Sequence, residues 1–380
     1  MTNQPLDRRA WLRFAGTSVA SLALASSLDL RAQPTAPAPV RGPYAGKPSL
    51  PARLNYNENP FGSSLRAQLA IDATQPLVPR YPVAEEFDLV GLIAKKEGVS
   101  DDHILMSAGS GDILVSVGMH VGLAGKEVIT ADPAYLDVVD AVLNFGGKAV
   151  KVPLNARLEY DLPAIEAAIT ERTGVIYICN PNNPTGTVIP AAELRAFCRR
   201  VSKRVTVFVD EAYLDLADDY AGSTMVGLVA EGCDVIVTRT FSKIYALAGQ
   251  RIGYGLMQPA LIEKLRRYNG GGAINMLGVV AAAASLRDPA HVPTMRAQIK
   301  AGRDALVGVI KSLGKEYAVP QGNFVFFKTG MPIKDFGAKM KAENVLIGRP
   351  FPPLTDWARI SIGLPEEMEL CHAALKKVLG

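Results

Sequence analysis

The sequence predicts an α/β domain built on a mostly parallel sheet, followed by a smaller α+β unit. Three observations lead there. From about residue 85 to about residue 260, short β-branched runs bounded by turn residues alternate with helical patterns, the mark of a sheet with helices packed over it. From about residue 285 that alternation gives way to one long helical stretch, a few strands and further helices. A length of 380 residues and an apolar fraction of 48% suit one large unit with a sizeable core plus a smaller one.

The chain begins with a segment that does not belong to this pattern. Residues 7–14 read DRRAWLRF, an uncharged stretch runs from Ala15 to Leu28, and DLRAQPTAPAPV follows. Paired arginines, a short apolar region and a small-residue end make an export signal. The order Arg8-Arg9-Ala10-Trp11-Leu12-Arg13 resembles a twin-arginine signal, which carries folded proteins out. The expectation is a signal over residues 1–32, cut after Ala32, and a Pro/Ala linker over 33–50. The apolar stretch is too short for a stable membrane span. Export implies a periplasmic protein; if the segment is instead a basic amphipathic helix, the protein is cytoplasmic.

The strands follow in order as HILMSAG, EVITAD, KAVKVPL, GVIYICNP, VTVFVDEAY and DVIVTRT, with helical patterns over 161–171 and 190–203 between them. Beyond them come a long helix over 288–314, the strand NFVFFKT, a helix over 332–343, the runs VLIGR and WARISIG, and a last helix from 365. No internal repeat is present. The net charge of +4 is small for this length and no long Lys/Arg cluster occurs, which argues against a nucleic-acid partner. Cys179, Cys198, Cys233 and Cys371 form no CxxC and read as core or free thiols. His103, His120, His291 and His372 show no metal-ligand spacing, so no metal is expected.

Sheets of this kind carry ligands at the carboxyl ends of their strands, and four strand ends here carry unusual residues. After HILMS, Ala108-Gly109-Ser110-Gly111-Asp112 leads into an apolar helix, and free N–H groups at a helix start suit a phosphate. With Asp132 about twenty residues on, the turn resembles a dinucleotide fingerprint, but its third glycine is missing. After VIYIC, the sequence Asn180-Pro181-Asn182-Asn183-Pro184-Thr185-Gly186 makes a rigid turn rich in amides. After VTVFV, Asp210 ends an apolar run; it is either a helix cap or a buried carboxylate that needs a partner. After VIVTRT comes Lys243, flanked by Thr240, Ser242 and Arg251, all able to hold a phosphate. A desolvated lysine amine is a nucleophile toward carbonyls. The set supplies a phosphate cradle, an acid, a phenol in Tyr213, an amide and a nucleophilic amine. Pyridoxal phosphate needs all five.

With these residues in place, the sequence resembles the fold-type I pyridoxal-phosphate aminotransferases, in particular histidinol-phosphate aminotransferase-like proteins. RYP, NPNNPTG, VDEAY, TFSK…LAGQRIGY and RISIG stand in that family's order, from LNYNENPFG near residue 54 to the last helix. The resemblance implies a large domain with a mostly parallel seven-stranded sheet and a smaller α+β C-terminal domain. The expected divisions are an N-terminal arm over 51–80, a cofactor-binding domain over 81–284 and a small domain over 285–380. It implies Lys243 as the Schiff-base lysine that also moves the substrate proton, and Asp210 as the partner of the pyridine nitrogen. Tyr213 and Asn183 become the partners of the phenolic oxygen. Ser110, Gly111, Thr240, Ser242 and Arg251 become the phosphate cradle, and Tyr135 the aromatic that stacks on the cofactor. Tyr81 matches a tyrosine that reaches the neighbouring subunit's cofactor, which implies a homodimer with shared sites. Arg359 matches the clamp for the substrate carboxylate, while Asn57 and Arg349 line the substrate side.

The implied reaction is ping-pong transamination between a small amino donor and a 2-oxo acid. Export sits poorly with a biosynthetic histidinol-phosphate role. The segment Tyr268–Gly278, YNGGGAINMLG, also departs from the family pattern with three glycines. The expected donor is therefore another amino acid: aromatic, D-configured or modified. The same cofactor residues would serve a lyase or an oxidase. A dinucleotide-dependent oxidoreductase would leave Lys243, Asp210 and NPNNPTG without roles, and a non-catalytic binding protein would have no use for a complete catalytic set.

Overall fold

The computed structural model describes residues 51–269 and 274–380. The expected signal and linker, and Gly270 to Ala273 of the glycine-rich segment, lie outside the described residues. In chain order the strands are β1 (Ala52–Arg53), β2 (Ile104–Ser107), β3 (Glu127–Asp132), β4 (Lys148–Pro153), β5 (Thr173–Cys179), β6 (Thr206–Asp210), β7 (Val235–Thr240), β8 (Gly253–Leu256), β9 (Phe324–Lys328), β10 (Val345–Leu346) and β11 (Trp357–Ser361).

Seven of them form one sheet in the order β2-β8-β7-β6-β5-β3-β4, in which only β8 runs against its neighbours. This is the mostly parallel sheet the sequence predicts. Its strands are near-continuous apolar runs because both faces are covered. Ile176 and Ile178 of β5, Val207 and Val209 of β6, and Val235 and Val237 of β7 enter one core cluster. The alternate residues Val175, Tyr177, Phe208 and Ile236 enter the other. Since β2, β3, β5, β6 and β7 are parallel, Ser107, Asp132, Cys179, Asp210 and Thr240 all end at one edge of the sheet, which is where the site forms.

β8 has no strand signature: it reads Gly-Tyr-Gly-Leu, and glycine disfavours strands. Its first glycine has a use. A Cβ on Gly253 would lie 2.8 Å from the carbonyl carbon of Gly109 and in contact with the Ser110 nitrogen, so only glycine lets that turn close over the strand. The helix expected over 161–171 is shorter, Leu162–Ala167. Thr173 Oγ1 accepts from Thr170 N (2.9 Å) and Thr170 Oγ1 from Arg172 N (3.2 Å), so threonine side chains replace the helical bonds.

In the C-terminal part, β9 and β11 pair antiparallel, with Arg359 opposite Phe326, beside helices His291–Ser312, Ile333–Ala342 and Pro365–Leu379. The N-terminal segment joins this part: β1 pairs parallel with β10, Leu54 N donates to Leu346 O (3.0 Å), and Ser361 N donates to Leu54 O (2.9 Å). The segment then crosses to the edge of the large sheet. Among the described residues no helix is long and apolar enough to cross a membrane.

Candidate active site

Lys243 follows the end of β7 by three residues and is partly buried. Its Nζ donates to the main-chain carbonyl of Asn57 at 3.0 Å and lies 5.3 Å from the centre of the Tyr213 ring. Burial, with the positive charge of Arg359 nearby, brings its amine down to about 8. An amine so lowered is free of its proton in a useful fraction near neutral pH.

Asp210, 3% exposed, ends β6. Its Oδ2 accepts from the Tyr177 hydroxyl (3.1 Å) and its Oδ1 from Thr238 Oγ1 (2.9 Å) and Ala212 N (3.2 Å). No salt bridge reaches it among the described residues, and burial pushes its carboxyl above the usual range. Three oriented donors and no ion-pair partner leave a buried acid arranged for a cation that is not part of the chain.

Tyr213 and Asn183 come together as expected. The Tyr213 oxygen accepts from Asn57 Nδ2 (3.1 Å) and Asn183 Nδ2 (3.3 Å), which leaves its own proton to donate. Burial raises this phenol to about 12. Arg359, on β11, donates Nη1 to Asn183 Oδ1 (2.7 Å) and Nη2 to Asn55 O (2.8 Å), and burial brings it down to about 10. Its Nε is buried without a hydrogen-bond partner. The guanidinium faces the rings of Phe351 (5.0 Å) and Phe324 (5.7 Å).

The phosphate-type residues also converge. Ser110 and Gly111 open the helix Ser110–Leu123 behind Gly109, whose φ of +87° suits glycine. Arg251 bridges this turn to the lysine loop: Nη2 donates to Ala108 O (3.1 Å) and Nη1 to Ser242 Oγ (3.3 Å). Thr240 Oγ1 accepts from Ser242 N at 3.1 Å. Free helix N–H groups, two hydroxyls and a guanidinium thus surround one spot. Asp132, the acid a dinucleotide would need, is paired with Lys151 at 3.8 Å instead.

Tyr135 is partly buried; its hydroxyl donates to Asp137 Oδ2 at 2.6 Å, and burial raises it well above the ordinary phenol range. Arg349 is exposed, donates to Pro350 O (3.0 Å) and stacks on Phe351 at 4.5 Å, on the same ring that Arg359 faces. Tyr81 is 88% exposed, and among the described residues no hydrogen bond or ring contact ties it to the other site residues.

Sequence reasoning missed several participants. Tyr177 and Thr238 orient Asp210, Asp137 holds Tyr135, Ser361 holds Asn57, and Phe324 and Phe351 flank Arg359. One signal was available: Asn55, Asn57 and Asn59 alternate in NYNENP, and all three reach the site region. Asn59 Nδ2 donates to Ile244 O at 3.0 Å, just past the lysine.

An amine, a lone buried acid, a proton-donating phenol and a phosphate cradle around one edge are the groups pyridoxal phosphate requires, and the donor set fits it. Known proteins agree. The model of the family "Aminotransferase class I and II" matches residues 54–375, which contain every site residue above. The chain belongs to the class I and II aminotransferases. As such it is a pyridoxal-phosphate-dependent enzyme of fold type I. This aminotransferase is 35% identical over 332 residues to the histidinol-phosphate aminotransferase of Moorella thermoacetica, covering 86% of this chain and 85% of that one. It is 37% identical over 333 residues to histidinol-phosphate aminotransferase 2 of Ralstonia nicotianae, covering 86% and 88%. The crystal structure of histidinol-phosphate aminotransferase from Sinorhizobium meliloti in complex with pyridoxal-5'-phosphate superposes with a TM-score of 0.79 at 29% identity, covering 87% and 91%. The aminotransferase is thus histidinol-phosphate aminotransferase-like in sequence and fold.

Proposed function

We propose that this enzyme moves an amino group from an amino acid to a 2-oxo acid in two half-reactions at the Lys243 site. The observation that carries the reading is the convergence of Lys243, Asp210 and Arg359 around the Tyr213–Asn183–Asn57 network. Pyridoxal phosphate, when bound, supplies an aldehyde that condenses with amines and a ring that accepts the electron pair left when a Cα proton departs. Asp210, oriented by Thr238 and Tyr177, holds a positive charge at the ring nitrogen. Tyr213 gives a hydrogen bond to the phenolic oxygen, and Asn57 and Asn183 fix its direction. Ser110, Gly111, Ser242, Thr240 and Arg251 hold the phosphate, and Tyr135 covers the ring. Lys243 Nζ, lowered to about 8, takes the Cα proton and returns it one carbon away.

Arg359 orients the substrate carboxylate. A buried guanidinium with an unpartnered Nε carries a penalty of about 1–3 kcal/mol, and an incoming carboxylate removes it while orienting the Cα–H bond. Phe324 and Phe351 are buried and back the Arg359 guanidinium. The 2-oxo acid brings a carboxylate to Arg359 whatever the donor, so the reading of an amino-acid donor in place of the amino alcohol histidinol phosphate rests on the twin-arginine-type residues Arg8 and Arg9, which support a periplasmic enzyme. A homodimer with shared sites accounts for the exposed Tyr56, Leu65, Leu69, Phe87 and Tyr81, which gather in the N-terminal stretch.

The test is a half-reaction screen of the loaded enzyme. Carboxylate-bearing aromatic donors should bleach the visible band, and a 2-oxo acid should restore it. Bleaching by histidinol phosphate alone would overturn the donor assignment. Release of ammonia without an acceptor would overturn transamination.

A further inference from the structure

We infer that Ser361 is a positioning residue for the reacting amine: its hydroxyl pins Asn57 in a left-handed backbone conformation, so that the Asn57 carbonyl receives Lys243 Nζ whenever that amine is free. The inference rests on the proposed role of Lys243 and deepens it.

Asn57 has φ = +53°, in the region that L residues rarely adopt and asparagine tolerates best. Something must hold it there. The Ser361 hydroxyl does so from both sides: Oγ accepts from Asn57 N (2.9 Å) and donates to Asn57 Oδ1 (2.8 Å). Both residues are buried, at 1% and 2% exposure, so water does not compete for these bonds. With the turn so fixed, the Asn57 carbonyl stands 3.0 Å from Lys243 Nζ. The residue is anchored a third time, through its side-chain Nδ2 to the Tyr213 hydroxyl (3.1 Å).

The surrounding bonds make this a strap rather than a single contact. Asn55 O accepts from Arg359 Nη2, and Asn59 Nδ2 donates to Ile244 O. Ser361 lies on β11 two residues beyond Arg359, so both side chains leave the same face of the strand. One strand therefore carries the expected substrate clamp and the pin that sets the lysine's resting place. A carbonyl accepts more strongly from an ammonium than from a neutral amine. Burial, Arg359 and Arg251 lower this amine while Glu58 and Asp210 raise it; the pinned carbonyl acts beside these charges to hold the proton on the freed lysine and fixes the point from which its protons are exchanged.

The test uses the cofactor-free protein, with circular dichroism to check the fold. Lys243 is labelled with acetic anhydride across a pH series and its peptide is quantified by mass spectrometry. In the wild type, half-maximal labelling should fall near pH 8. Ser361→Ala should move that midpoint down by about half a unit or more, while Ser361→Thr, which keeps the hydroxyl, should stay at the wild-type value. Asn57→Ala should shift it the same way through a different residue, and decides the matter should Ser361→Ala not fold. A folded Ser361→Ala or Asn57→Ala with an unmoved midpoint overturns the role of Ser361. Borohydride trapping of pyridoxal phosphate on wild-type Lys243 separates the two levels. An adduct with an unmoved midpoint overturns the positioning role alone, and no adduct overturns it together with the proposed function.

Discussion

Replacing Asp210 by Asn should make the cofactor-free protein more stable and the loaded enzyme nearly inactive. The substitution conserves shape. Asn Oδ1 can still accept from Thr238 Oγ1 (2.9 Å) and Ala212 N (3.2 Å), and its amide can donate to the Tyr177 hydroxyl, now 3.1 Å away. Only the charge is lost. Burial raises the folded carboxyl above its unfolded value of about 4. A group raised in this way favours folding fully below its unfolded value, and that contribution is lost as pH rises through the folded one. Melting temperatures of the cofactor-free wild type and D210N should therefore diverge as pH rises from the acid end, with the variant the higher. In the loaded enzyme the lost charge breaks a buried ion pair, at about 3–5 kcal/mol, so kcat/KM should fall by a factor on the order of 10² to 10⁴. Thermal melts from acid to neutral pH and steady-state kinetics read both arms. Activity within about threefold of wild type, or a lower melting temperature at neutral pH, would show that Asp210 does not carry this buried charge.

Other substitutions separate the remaining parts. Arg359→Lys loses the planar fork that bonds Asn183 and Asn55, and should raise KM for the carboxylate donor by about tenfold or more, read in initial-rate kinetics. Gly109→Ala places a Cβ against the Arg251 guanidinium at a φ of +87°. It should weaken cofactor affinity by about tenfold or more, measured by spectroscopic titration. Thr238→Val removes one donor from Asp210 Oδ1 and should lower kcat by about tenfold with KM little changed, because the acid stays in place but is held less firmly.

The large sheet was legible because its parallel strands are buried on both faces, so GVIYIC and VTVFV read as near-continuous apolar runs. Asp210, Asn183 and Lys243 were legible for the same reason: Asp210 is the polar residue that ends such a run, and Asn183 and Lys243 lie in the short turns that follow two others. β8 was not, since Gly253 answers to the close turn at Gly109, and Gly255 to the close approach of Ile113 and Met257, and not to strand propensity. Thr238 and Tyr177 were hidden inside strands, where threonine and tyrosine are ordinary. Their role follows from register, which sets Thr238 opposite Asp210 on the neighbouring strand. Ser361 and Asn57 are 304 residues apart and meet only because the N-terminal segment pairs with β10. No local pattern encodes such a contact.

Everything proposed for this enzyme requires Lys243 to be the amine that carries the cofactor. The direct measurement is the absorbance spectrum of the wild type and of Lys243→Ala with pyridoxal phosphate, before and after borohydride, followed by peptide mapping. The wild type alone should show a visible band, and borohydride should fix a pyridoxyl group on the peptide that contains Lys243. A wild type with no band, or a label that settles on another lysine, would contradict this assignment.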